Sequence, residues 1–103
     1  MDGESFTQLV KDEARDFSIE WSLGNNTGVS KNAQNWLNEL SSQENQLLRE
    51  IVVEAIDNCL FRVFEIMDGV HMKSFEPIEA STANGKISGK GLPQLHDLYA
   101  NKI

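Results

Sequence analysis

The sequence predicts an α+β domain organised around one long helix. Two observations carry this prediction: the stretch from Ser41 to Gly69 has both a helix start and a helix end, and the dipeptide Asn84-Gly85 is typical of a β-hairpin turn. Apolar residues also recur at helical spacing in two shorter stretches before Ser41. We therefore expect a single domain over residues 1–103 with three helices, of which the third (about 42–68) is dominant, then a C-terminal β-hairpin and a short terminal helix.

The bounds of the long helix follow from residues at its two ends. Ser41 and Glu44 have the spacing of a capping box, in which each side chain accepts a hydrogen bond from the other residue's backbone amide. No Pro or Gly interrupts the next two dozen residues, and Gly69 can adopt the left-handed conformation that ends a helix. At about 1.5 Å per residue, this helix should be roughly 40 Å long.

Apolar side chains cover about half of the circumference of this helix. The predicted apolar arc contains Leu48, Val52, Ala55, Ile56, Cys59, Leu60, Val63, Ile66 and Met67, with Val53 and Phe64 at its edge. Because one neighbouring element cannot cover so wide an arc, we expect the helix to be packed from two sides. The opposite, acidic arc contains Glu50, Glu54, Asp57, Glu65 and Asp68, with Phe61 projecting at its centre.

Two shorter helices are predicted before the long one. The first has an apolar stripe made of Phe6, Leu9, Val10, Ala14 and Phe17. Residues 17–23 also alternate as a strand would, but Trp21 extends the helical stripe and favours a helix there. A loop at residues 24–28 follows, and Ser30 then caps a helix whose Trp36 we expect to anchor the core.

The C-terminal third is predicted to form a hairpin over about residues 73–90 and then a short helix. Phe75, Ile78 and Ala80 lie in the first strand, and Ile87 begins the second. Because Pro77 has no backbone N–H to donate, its strand should lie at the edge of the sheet or contain a bulge at that residue. Since two strands alone are marginal, the hairpin must pack on the helices, join a strand from 17–23, or pair with a second subunit. Pro93 should open the last helix, which turns three side chains inward: Leu95, Leu98 and Tyr99.

The sequence contains no motif for catalysis or for a cofactor. Cys59, His71 and His96 are isolated from one another and do not have zinc-ligand spacing. The glycine-rich stretch NGKISGKG lacks the spacing of a phosphate-binding loop. We therefore predict a protein that is not an enzyme and holds neither a metal nor a cofactor.

The net charge of −7 bears on the choice of partner. The negative charge lies in the first two thirds of the chain, whereas residues 69–103 carry three acidic and four basic side chains. Nucleic acid is a poor candidate, because binding it requires clustered Lys and Arg, while a basic protein would be attracted. No apolar run approaches the ~18 residues that cross a membrane, and the N-terminus does not resemble a signal peptide. Together with the lone cysteine, these features favour the cytoplasm.

The acidic arc is the predicted binding surface for such a partner. Phe61 surrounded by carboxylates has the composition of a binding hot spot with a charged rim. The site residues predicted on this basis are Glu50, Glu54, Asp57, Phe61, Glu65 and Asp68. The alternative for Phe61 is that another segment, such as the hairpin, covers it.

The chain also resembles the small acidic immunity or antitoxin proteins of bacterial toxin systems. The resemblance rests on size, acidity and three runs: W-L-x-x-L-S-x-x-E at Trp36 to Glu44, D-x-x-L-F at Asp57 to Phe61, and I-M-D-G at Ile66 to Gly69. It implies an inhibitor that occludes a basic toxin domain by binding it. Two alternatives stay open: a structural or regulatory protein that forms homo-oligomers, including a homodimer, through the wide apolar arc, and a small ligand-binding protein or enzyme with a pocket between helix and hairpin.

Overall fold

A computed structural model describes residues 1–25 and 28–103 and confirms the predicted fold class. A first helix runs continuously through α1 (Gly3–Leu9), a π-helical segment (Val10–Asp16) and α2 (Phe17–Ser22). It is followed by α3 (Lys31–Asn38) and the long α4 (Ser42–Asp68). A hairpin of β1 (Ala80–Thr82) and β2 (Gly85–Ser88) and the short α5 (Leu95–Ala100) complete the chain. In the predicted loop at 24–28, Asn26 and Thr27 lie outside the described residues.

The π-helical segment changes which residues of the first helix face inward. Because its backbone bonds span five residues instead of four, each turn accommodates more residues than an α-helical turn. The inward face therefore shifts, and Ile19 is buried whereas Phe17 and Trp21 are exposed. The prediction of a helix through Trp21 is confirmed, but its expected apolar stripe is wrong at Leu9, which is exposed, and again beyond the π-helical segment.

The ends of α4 are as predicted. Ser41 Oγ accepts from the Glu44 amide at 3.1 Å, and Glu44 Oε1 accepts from the Ser41 amide at 2.9 Å. Gly69 has the left-handed conformation, with φ 73° and ψ 27°. A side chain at Gly69 would also collide with the backbone of Pro77, since a Cβ there would lie 2.6 Å from the Pro77 nitrogen. Gly69 thus ends the helix, and because it has no side chain it leaves room for the segment that leads to the hairpin.

The hairpin is shorter than predicted. Its strands are antiparallel, with Thr82 opposite Gly85, so Gly85 begins β2 instead of completing the turn. Phe75, Pro77 and Ile78 precede β1, and the irregularity in the ladder falls between Ala80 and Ser81 rather than at Pro77. The hairpin packs on α1, where Gly3 lies so close to Ile87 that a Cβ at Gly3 would be 2.8 Å from the Ile87 carbonyl oxygen. Of the three possibilities for stabilising the hairpin, packing on the helices is the one observed.

The main core lies at the C-terminal half of α4 and is small. Phe64, Ile87, Leu95 and Tyr99 are buried together, so α4, β2 and α5 all contribute to it. The Phe64 ring packs edge-on against Phe6, with centroids 6.2 Å apart, and tilted against Tyr99 at 5.2 Å. The inward position of Leu95 and Tyr99 is as predicted, although α5 begins at Leu95, two residues after Pro93. Trp36, in contrast, is exposed and does not anchor a core.

Candidate protein-binding surface

The buried face of α4 is rotated toward the arc that was predicted to be the outer, acidic one. Phe64, expected only at the edge of the apolar arc, is 2% exposed and is the buried centre of this helix. Ala55 and Cys59, expected inside, are exposed. Two neighbouring elements pack on α4, the first helix and α5, but they meet the side centred on Phe64 and not the predicted apolar arc. The reason is that side chains of the predicted acidic arc form hydrogen bonds with other helices of the same chain.

Asp57 is held by an arginine and a tyrosine from two other helices. Arg15 donates through Nε to Asp57 Oδ1 at 2.6 Å and through Nη2 to Oδ2 at 3.1 Å, which is a two-point pairing. The hydroxyl of Tyr99 donates to Asp57 Oδ1 at 2.7 Å. The carboxylate therefore joins the π-helical segment, α4 and α5 at one point. A residue predicted to meet a partner protein thus makes three hydrogen bonds within its own chain.

The pKa values of this cluster reflect its geometry. Burial alone would raise the pKa of Asp57, but the hydrogen bonds from Arg15 and Tyr99 outweigh it and hold this pKa below its ordinary range. The Asp57 hydrogen bond, opposed by burial, raises the pKa of Arg15. Burial and then the bond to Asp57 raise the pKa of Tyr99. The cluster is thus ionised at Arg15 and Asp57 and neutral at Tyr99 at physiological pH.

We expect Asp57→Asn to flatten the acid limb of the stability profile. Because the pKa of Asp57 is lower in the folded state, its contribution is complete above the unfolded pKa of about 3.9 and is lost as pH falls through the folded pKa. The free energy of unfolding, measured by urea titration from pH 7 down to the acid transition, should therefore fall less steeply in Asp57→Asn than in the wild type. The control Glu54→Gln removes an exposed carboxylate and should follow the wild-type slope. Parallel wild-type and Asp57→Asn curves would contradict this role of Asp57.

Asp68 caps the N-terminus of α5 although it belongs to α4. Its Oδ1 accepts from the Leu95 amide at 2.8 Å, and its Oδ2 accepts from the His96 amide at 2.9 Å. His96 Nδ1 also lies 2.6 Å from Oδ2, and the Asp68 side chain is only 3% exposed. The first amides of a helix have no intrahelical partners and carry its positive dipole end, so a carboxylate is well placed there. His96 is consequently held against the end of α4.

The remaining predicted site residues divide between packed and exposed positions. Phe61 is half-buried beside the core and packs edge-on against the His96 ring, with centroids 5.5 Å apart. Its covering segment is α5 and not the hairpin. Glu50 and Glu54 are exposed, and Glu65 is half-buried. The structure therefore brings Asp57, Phe61 and Asp68 together as contacts between helices and leaves Glu50 and Glu54 on the surface.

The opposite side of α4 exposes an apolar row. Residues at successive i, i+4 positions form it, and we call Leu47, Ile51, Ala55, Cys59 and Val63 the outer row. All five are exposed, Ile51 to 64% of its surface. Ala55 lies about two and a half turns from Phe64, which places the two on opposite sides of the helix. Exposed apolar residues continue past the row at Ile66 and Val70.

Three members of the outer row, Ala55, Cys59 and Val63, belong to the predicted apolar arc and were expected to be buried, whereas Leu47 and Ile51 were not assigned to either arc. The exposure of the row could not be read from helical spacing, because spacing groups apolar residues without showing which of them meet another element. The chain has no match among known protein families, curated proteins or solved structures. The candidate surface therefore rests on its own geometry.

Other kinds of site have less structural support in the described residues. Within residues 1–25 and 28–103, no group of three or more His, Cys, Asp or Glu side chains is placed to hold a metal ion. A cavity of about 270 Å³ lies beside the hairpin, and its lining comes from residues 79–92, not from α4. Among the helices described, none combines the length and the apolar character that crossing a membrane requires.

Proposed function

We propose that this protein is a non-enzymatic protein-binding module and that the outer row of α4 is its binding surface. The observation that supports this proposal is the exposure of five apolar residues at successive i, i+4 positions of one helix. Singly exposed apolar residues are ordinary on protein surfaces, whereas contiguous ones mark interaction sites. A helix face of this kind binds another chain through side chains at i, i+4 spacing. The lone cysteine, which cannot form a disulfide within the chain, favours the cytoplasm as its location.

The proposed surface differs in chemistry from the acidic face expected of a toxin inhibitor. The outer row is uncharged, so its association would depend on burial of apolar surface more than on attraction to a basic partner. Inhibition of a basic toxin stays a prediction that depends on Glu50 and Glu54, which are exposed on α4. Asp57 and Asp68 do not support it, because their carboxylates are engaged within the chain.

The thiol of Cys59 allows a direct test, because it is exposed within the outer row, next to its central Ala55. A thiol-attached photocrosslinker at Cys59 should yield protein adducts when the labelled chain is irradiated in an extract of its source cells. The matched control is the Cys59→Ser, Glu13→Cys variant, which carries the same group at an exposed position on the first helix. Adducts should form from position 59 only, and excess unlabelled wild type should compete them away.

Introducing Ile51→Glu into the labelled chain should abolish the adducts, since a charge in the row opposes apolar contact. Equal adduct formation from positions 59 and 13 would show that the row has no binding role. Absence of adducts from position 59 would contradict the proposed function in the same way. The mass of each adduct shows whether the attached chain is another copy or a different protein.

A further inference from the structure

We infer that the outer row is occupied by a second copy of this chain, with the two α4 helices packed antiparallel about a two-fold axis near Ala55. This inference rests on the proposed function and specifies its partner. Three observations lead to it: the accessible surface of the chain, its elongated shape and the sequence of side-chain sizes along the outer row.

The accessible surface of one chain is larger than a monomer of its mass normally has. The chain exposes 6897 Å² and has a mass of 11.6 kDa. Folded monomers of that mass expose about 5,800 Å², so the excess is roughly 1,000 Å². A standard stable interface buries about 800 Å² on each partner. The excess is therefore of the size that one dimer interface would remove.

The shape of the chain points the same way. Its radius of gyration is 16.5 Å, and its extents are 50 × 30 × 22 Å. A compact domain of this length has a radius of gyration of about 13 Å. The elongation comes from α4, whose main core partners lie toward one end while the outer row runs along the opposite side. A second molecule packed along α4 would make the assembly more compact than either chain alone.

The order of side chains in the outer row suits an antiparallel copy. An i, i+4 row winds around an α-helix, so two such rows align when the helices cross at about 50°. With Ala55 at the axis of such a pair, Leu47 meets the partner's Val63 and Ile51 meets the partner's Cys59. Each larger side chain thus meets a smaller one, and the two alanines allow close approach at the centre. A parallel pair would place the larger residues together at one end and the smaller ones together in the middle. The antiparallel arrangement also opposes the two helix dipoles.

Charge does not oppose this pairing at the row itself. The net charge of −7 belongs to side chains outside the outer row, whose five members are all neutral. Asp57 and Asp68 lie on the other side of α4 and are held by partners within their own chain. A dimer closed by a two-fold axis is also the commonest symmetric assembly of soluble proteins.

Sedimentation of the purified chain at micromolar concentration tests the inference. The wild type should sediment as a dimer of twice 11.6 kDa. Leu47→Glu should weaken the dimer by about 100-fold or more, because it would bury an unpaired charge. Leu9→Glu is the matched control: the same substitution at a leucine of similar exposure, 47% against 52% for Leu47, on the first helix. This variant should remain dimeric, and circular dichroism checks that both variants fold.

Disulfide trapping tests the orientation. In the antiparallel dimer, the two Cys59 residues are offset by about 12 Å along the helices, too far for a disulfide, whereas a cysteine at position 55 faces its copy. Mild oxidation should therefore crosslink the Ala55→Cys, Cys59→Ser variant efficiently and the wild type poorly. The reverse result would indicate parallel helices and overturn the arrangement.

The failures of the two proposals are distinguishable. A monomeric wild type overturns the second-copy inference, yet Cys59 adducts to a different protein would still support the outer row as a binding surface. Equal weakening by Leu47→Glu and Leu9→Glu would show that the dimer forms elsewhere. A monomer without Cys59-specific adducts would overturn both proposals.

Discussion

Phe64→Ala is expected to lower the free energy of unfolding by about 3–5 kcal/mol. Phe64 is 2% exposed and lies between Phe6 of α1 and Tyr99 of α5, so truncation would leave a cavity where three helices meet. Few buried residues surround Phe64, so few side chains can rearrange to fill that cavity. Urea unfolding monitored by circular dichroism, at one fixed protein concentration, measures the change.

Phe75→Ala provides the control for this prediction. The same atoms are removed, but Phe75 is 76% exposed, so the change should be within about 0.5 kcal/mol. If the two variants lose similar amounts of stability, the core around Phe64 is not the main source of stability. A large loss at Phe75 alone would indicate that the segment before β1 is covered in solution.

The elements that could be predicted from the sequence are those specified by neighbouring residues. The capping box of Ser41 and Glu44 and the terminal Gly69 are local signals, and the bounds of α4 follow from them. The hairpin was predicted from Asn84-Gly85 for the same reason. Its turn falls one residue earlier than that dipeptide suggests, since Gly85 pairs with Thr82 in the ladder.

The orientation of α4 could not be predicted in this way, because it depends on contacts distant in sequence. A helical wheel places Asp57 and Asp68 on a polar side, which would ordinarily face solvent. Arg15 and Tyr99 satisfy one carboxylate, and the first amides of α5 satisfy the other. Once these pairings form, the polar side becomes the inner one and Phe64 is buried with it.

The first helix shows a second limit of reasoning from periodicity. A period of 3.6 residues groups Phe6, Val10 and Phe17 on one face, but the π-helical segment interrupts that period between residues 10 and 16. Arg15 can reach Asp57 and Ile19 is buried because of this shift. Nothing in the sequence pattern marks the π-helical turns, so the exposure of Phe17 and Trp21 after them could not be predicted.

An apolar binding surface on α4 was therefore among the predictions, but the residues that form it were only partly identified. The alternative of self-association through a wide apolar arc named residues that include Ala55, Cys59 and Val63 of the outer row. The favoured alternative, an acidic face centred on Phe61, named residues of which half are engaged between helices. The predicted and the observed buried sides of α4 differ because either side could be buried. One side is apolar, and the other has polar groups that form hydrogen bonds within the chain.

Asp68→Ala is expected to lower the free energy of unfolding by about 2–4 kcal/mol. The substitution removes a carboxylate that accepts from the Leu95 and His96 amides and contacts the His96 ring, and it leaves these donors without their partner in a nearly closed site. The α5 helix carries Leu95 and Tyr99 into the core, so loosening its first turn should affect the core as well. Thermal and urea unfolding of the variant measure the loss.

Glu54→Ala is the comparison that separates a structural role from a binding role. Both residues were predicted to act as rim charges toward a basic partner, in which case neither change should alter the stability of the free chain. Because Glu54 is exposed, its replacement should change stability by no more than about 0.5 kcal/mol, whereas Asp68→Ala should be clearly destabilising. Equal and small effects would restore Asp68 to the list of candidate binding residues. A loss confined to Asp68→Ala would instead show that Asp68 serves the fold, which leaves Glu50 and Glu54 as the carboxylates of this side that are available to a partner.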